Sequence, residues 1–165
     1  HQFSMEKQVK YTVAVVLKRS ENSDEFLVVK RPADDADLAD AWGFPAVTLR
    51  PGELPEAGAR RVCSEKLGCQ AETVRFLGLM YQKRNSYDLF LMDIEMVLAE
   101  DETADVAKAT TEHTAYVEQE WTNDPMRLMP GAEHGSCCAS IFLNDRGLLK
   151  RSDWIDSLEG SNLVA

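Results

Sequence analysis

Nucleophiles and metal ligands are sparse in this chain. Its four cysteines, Cys63, Cys69, Cys137 and Cys138, include no Cys-x-x-Cys pair. The adjacent Cys137 and Cys138 cannot bridge each other without backbone strain, and a zinc site would need ligands that His134 alone does not supply. They read as reduced thiols used for packing. His113 could act as a base because imidazole titrates near neutral pH, but a single histidine in an acidic stretch reads as a polar surface residue. Nothing places Cys63 beside His113 or His134, so neither Ser/His/Asp nor Cys/His nucleophilic chemistry is indicated. Carboxylates are the abundant reactive groups: 28 Asp and Glu against 18 Lys and Arg give a formal charge of -10. Asp93 and Glu95 share one face of a strand by the two-residue period. Between Glu100 and Pro125, Glu100, Asp101, Glu102, Asp105, Glu112, Glu118, Glu120 and Asp124 face only Lys108. A solvated face is the preferred reading of that run over an acidic partner patch. The overall charge argues against generic nucleic-acid binding, whereas a small phosphorylated ligand needs only a local positive site.

The elements that must position these groups can be read from pattern and punctuation. A chain of 165 residues with 44% hydrophobic, 28% charged and 8% aromatic residues is the size and composition of one globular domain. We assign it to residues 5–165 and read His1-Gln2-Phe3-Ser4 as left over from expression. No apolar run approaches the roughly 20 residues of a membrane span, and no signal pattern opens the chain, so a cytoplasmic protein with no membrane partner is expected. Residues 11–19 and 25–31 are rich in β-branched types and flank a polar break, which reads as strand, turn, strand. A polar loop over 32–41 leads to Trp42-Gly43-Phe44-Pro45, and Pro51-Gly52 marks a turn. The helix expected over about 54–67 has Pro55 in its first turn, Glu53 and Glu56 at its positive end and Gly68 at its stop. Residues 71–84 and 86–99 read as a long hairpin reversing at Asn85-Ser86. A strand over 114–122, a helix capped by Ser136 and running to Leu143, and a short helix around 153–158 complete the chain. The order of elements implies an α/β (α+β) fold, a mixed sheet with helices packed outside.

Trp42-Gly43-Phe44-Pro45, Pro51-Gly52-Glu53, and then Arg61, Glu65, Leu67 and Gly68 resemble the signature of the Nudix hydrolase family. That signature reads Gly, five residues, Glu, seven residues, Arg-Glu-apolar-x-Glu-Glu-x-Gly-apolar. With Glu53 on the first Glu, Arg61, Cys63, Glu65, Gly68 and Cys69 fall on matching positions without an insertion. Three positions depart: Val47 stands for the opening Gly, Val62 for the Glu after Arg, and Lys66 for the second Glu of the pair. The box is therefore degenerate. The resemblance implies an α/β/α sandwich and a pyrophosphohydrolase that cleaves a diphosphate linkage of a nucleotide derivative by metal-assisted water attack.

In the family the helix glutamates sit at i, i+3 and i+4, on one face, and hold magnesium or manganese against a pyrophosphate. Here that face reads Val62, Glu65, Lys66. Two unit charges 4 Å apart interact by about 4 kcal/mol at an effective dielectric near 20, so exchanging Glu for Lys reverses a term of that size. One weakly or substrate-dependently bound Mg or Mn is expected, on Glu65 and Glu53, with Arg61 orienting them. Glu112 is the first choice for an additional acid from a later loop, ahead of Asp93 and Glu95. Lys66 would contact phosphate, and Arg31, Trp42 and Phe44, with Tyr81, Tyr87 and Trp121 behind them, would select the ligand by stacking and phosphate pairing. The implied partner is a small nucleotide-type substrate, with a homodimer as the familiar family assembly. The alternative is a catalytically weak or inactive Nudix-fold module that binds nucleotides or proteins.

Overall fold

The computed structural model describes residues 7–111 and 115–158. His1 to Ser4, Glu112 and His113 lie outside them.

The run Val13-Ala14-Val15-Val16-Leu17 is buried throughout because its strand is covered on both faces. This strand, β1 (Gln8–Lys18), lies at the centre of a seven-stranded mixed sheet. The other strands are β2 (Phe26–Lys30), β3 (Trp42–Gly43), β4 (Ala46–Thr48), β5 (Ala71–Lys83), β6 (Tyr87–Leu98) and β7 (Glu118–Thr122). The order is β3-β2-β1-β6-β5, with β4 also on β1 and β7 on β2. β1 and β6 run parallel from Gln8 beside Tyr87 to Lys18 beside Val97, and β5 and β6 form the expected antiparallel hairpin.

The period of two divides the core. Val13, Val15 and Leu17, with Ile94 and Met96, pack on Ala59, Val62, Cys63 and Leu67 of α1 (Pro55–Leu67). Ala14 and Val16, with Leu89 and Leu91, pack on the opposite layer, formed by α2 (Met129–Glu133) and α3 (Cys137–Asp145). The result is the expected α/β/α sandwich. The punctuation of α1 is as read: Pro55 in its first turn and Gly68 in the left-handed region at φ 60°. Ser136 caps α3 by accepting from the Ala139 N–H. All four cysteines are free and buried.

Some expectations need correction. The strand sought over 114–122 begins only at Glu118, and the helix around 153–158 is a single 3-10 turn at Arg151–Asp153. The acidic run, by contrast, is the solvated face expected, with Glu100, Asp101, Asp105, Glu118, Glu120 and Asp124 exposed; within it Asp105 and Asp124 cap 3-10 turns, Glu102 accepts from the Gln70 N–H, and Glu118 and Glu120 pair with Lys30 and Arg127. No described helix is long and apolar enough to cross a membrane.

Candidate active site

The turn before α1 and the helix itself bring Glu53, Arg61 and Glu65 together. Arg61 lies eight positions after Glu53, and Arg61 and Glu65 are one helical turn apart, so one guanidinium reaches both carboxylates. Arg61 Nε donates to Glu53 Oε2 at 3.0 Å and Nη2 to Glu53 Oε1 at 2.9 Å. Its Nη1 donates to Glu65 Oε1 at 3.1 Å, and Nη2 also reaches the Thr48 carbonyl at 2.8 Å. Hydrogen bonds from Arg61, and then from the Arg50 backbone, outweigh desolvation and hold the Glu53 carboxyl at a pKa of about 2. Glu65 Oε2 has a looser neighbour, the exposed Arg50 Nη2 at 3.4 Å.

The departures at 62 and 66 follow from which side of α1 faces the sheet. Val62 is fully buried among Val13, Val15 and Ile94, where a carboxylate would be desolvated. Lys66 is also buried at 3% exposure, but it lines a cleft, with its ammonium 5.8 Å from the centroid of the Tyr116 ring. Burial lowers its pKa, as do Arg31 and Arg61, against the pull of Glu65. Tyr116 accepts from the Ala46 N–H at 2.9 Å, and its own burial raises its pKa against the effect of Arg31.

The cleft, of about 1030 Å³, is lined by Arg31, Arg61, Glu65, Lys66, Val47 and Tyr87 among the residues singled out in the sequence, and not by Glu53. Its other described charged residues are Lys10, Arg50, Arg84, Asp34, Asp35 and Asp37, giving six basic against four acidic side chains among the described residues. A protein of charge -10 thus carries a locally positive cleft. Arg31 is held by Asp35 at 3.0 Å, and Tyr116 and Asp35 raise its pKa despite desolvation.

Trp42 and Phe44 are not in this cleft. Phe44 is 1% exposed in the core, its ring 5.0 Å from that of Phe142 and 6.1 Å from that of Phe26, so the expected ligand contact is replaced by packing. Trp42 lines a separate cavity of about 190 Å³, with the Arg127 guanidinium 4.8 Å from its ring centroid. Tyr87 does line the cleft, Tyr81 is exposed on β5, and Trp121 is covered by Arg19 at 4.5 Å. Asp93 and Glu95 lie on the α3 side of β6: Asp93 is completely buried, and Glu95 is 4.0 Å from Arg75. Lys10, Arg50, Arg84 and Tyr116 were not signalled. They come from four separate segments, and only the alternation of β1, which puts Lys10 on the face of Thr12, offered a hint.

Among the described residues, no three His, Cys, Asp or Glu gather into a group able to hold a metal ion. Glu53 gives both oxygens to Arg61, which leaves Glu65 Oε2 as the more available donor. Among the described residues, such a donor set does not make up a multi-metal centre.

The family profile described as the NUDIX domain matches residues 9–127. No curated protein gave a significant match. Among solved structures, the MutT protein from Methanosarcina mazei Go1 is similar at a TM-score of 0.65 and 16% identity, over 87% of this chain and 97% of that one. A NUDIX hydrolase from Nitrosomonas europaea gives 0.64 and 18%, over 90% and 93% of the two chains. The MutT NUDIX hydrolase from Burkholderia pseudomallei gives 0.58 and 19%, over 71% and 84%.

Proposed function

The chain belongs to the Nudix family of diphosphate-bond hydrolases, and we propose that its cleft hydrolyses a diphosphate linkage in a small nucleotide-type substrate by attack of water. The observation that carries this reading is the Glu53–Arg61–Glu65 array, of which Arg61 and Glu65 line a cationic cleft and Glu53 braces Arg61 from behind. Arg61 fixes the Glu65 carboxylate from the protein side. Lys66 and Arg31 supply positive charge to phosphate oxygens in a partly desolvated setting, where such charge counts for more than in water. Glu65, with Glu53 behind it, would hold one Mg or Mn ion arriving with the substrate, and Glu112 is retained as an additional acid. A bound cation would neutralise diphosphate charge and make water more acidic. The free cysteines are in keeping with a cytoplasmic setting, which we include in the proposal.

The expected result for Glu65→Gln is a fall in metal-dependent turnover of about 100-fold or more, with little change in Tm because partly exposed ion pairs contribute only about 0–1 kcal/mol. Lys66→Met should lose more turnover than Lys150→Met, at an exposed position outside the cleft. Release of phosphate or nucleoside monophosphate from a panel of nucleotides and nucleotide sugars is the readout, and undiminished turnover in Glu65→Gln refutes the assignment. The alternative, a binding protein without turnover, is favoured by Arg61 already occupying both oxygens of Glu53 and one of Glu65. No turnover, together with ligand-induced thermal stabilisation, would select it.

A further inference from the structure

The arginines of the cleft are all matched by carboxylates. Arg31 has Asp35, Arg61 has Glu53 and Glu65, Arg50 has Glu65, and Arg84 has Asp37 at 3.2 Å. Lys10 differs: no carboxylate pairs with it among the described residues, and its ammonium sits 4.1 Å from the centroid of the Tyr87 ring. In a protein with ten more acids than bases, a half-buried cation inside a cleft and without an acid partner among the described residues is a place prepared for an anion.

The platform beneath it is built. Tyr87 donates its hydroxyl to Asp37 Oδ2 at 2.7 Å, and Arg84 Nη1 donates to the same Tyr87 oxygen at 3.1 Å. Arg84 Nε is in turn fixed by Gln82 Oε1 at 2.8 Å. These bonds hold the ring, and the ring positions the ammonium through cation–π attraction without neutralising it. Asp37 is already engaged by Arg84 and Tyr87. Thr12, on the same face of β1, and Ser86 add neutral hydroxyls to the lining.

Along β1, Lys10 is offset from the position that pairs at the α1 end of the cleft. Thr12 is opposite Thr48, whose carbonyl holds Arg61, and Lys10 is a further two residues along β1, roughly 7 Å at strand rise. A single carboxylate or phosphate group does not span that offset. We propose that Lys10 selects substrates carrying a second anionic group, a carboxylate or a phosphate, at the end remote from the diphosphate. This rests on the reading of the α1 end as the diphosphate site and names the class of substrate that the same cleft would take.

The test uses matched ligands that differ in that group alone. UDP-glucuronic acid against UDP-glucose tests the carboxylate, NADP+ against NAD+ tests the phosphate, and inorganic pyrophosphate reports on the diphosphate end. Affinities would be measured by calorimetry on the full chain, for wild type, Lys10→Met and Lys10→Arg. In at least one pair, wild type should bind the charged member about tenfold or more tightly, Lys10→Met should abolish that ratio, and Lys10→Arg should restore most of it. Pyrophosphate affinity should change less than about twofold across the three proteins. A ratio near one in wild type for both pairs, or a ratio that survives in Lys10→Met, overturns the role of Lys10. Absence of pyrophosphate binding in wild type instead overturns the diphosphate reading, while the charged-to-neutral ratios still judge Lys10.

Discussion

Asp93 is a carboxylic acid where the sheet offers it nothing to bind. It lies between Ala14 and Gly78 in register, is completely buried, and neither side-chain oxygen has a hydrogen-bond partner among the described residues. Burial raises its pKa well above the ordinary carboxylate range, reinforced by Cys138 and Asp145 of α3. The folded state therefore keeps the proton that the unfolded chain releases. Its contribution to stability is fully present below the unfolded pKa, near 3.8, and is lost as pH rises from there through the folded value. Asp93→Asn should consequently match wild type in Tm near pH 4 and exceed it by several degrees at neutral pH. Parallel pH profiles for the two proteins, measured by thermal unfolding, would refute the argument.

Gly68 has a comparable place among the elements. It ends α1 at φ 60°, and its N–H and that of Cys69 both return to the Cys63 carbonyl. A Cβ there would run into Lys108 Cβ as well as the left-handed penalty of about 1–2 kcal/mol. Gly68→Ala should thus lose about 2 kcal/mol or more by chemical denaturation. Because Glu65 and Lys66 occupy the last turn, turnover of the still-folded variant should fall as well; full activity and stability would mean that this end of the helix is not positioned by its stop. Features with such local steric meaning were legible in the sequence. Pro55, Gly68 and Asn85-Ser86 marked α1 and the β5–β6 hairpin, and the spacing of Glu53, Arg61 and Glu65 located the array on the helix. Elements that exist only through partners were not. β3 and β4 contain two and three residues and are defined by pairing with β2 and β1, and α2 is a five-residue helix. The same reason governs the site, where Lys10, Arg84 and Tyr116 are brought together by the sheet from distant segments. Phe44 was misplaced because its aromatic type suits a ligand and a core equally, and only tertiary packing decides between them.

For the molecule as a whole, the charge distribution sets two opposing fields on an anionic ligand. The net charge of -10 repels it at a distance, while the six bases against four acids among the described residues of the cleft attract it at contact. These fields differ in range and in exposure to salt. At 0.1 M ionic strength the Debye length is about 10 Å, so charges spread over the surface are screened from an approaching ligand. Lys66 and Arg84, buried at 3% and 4% exposure, act at contact distances within the cleft and are screened much less. Raising monovalent salt from about 10 to about 100 mM should therefore speed the association of a fluorescent nucleoside diphosphate, followed by stopped flow, contrary to the usual slowing when a basic protein meets an anion. Dissociation should change less over the same range. A steep fall in the association rate would mean that the local field of the cleft reaches beyond the acidic surface and dominates the encounter.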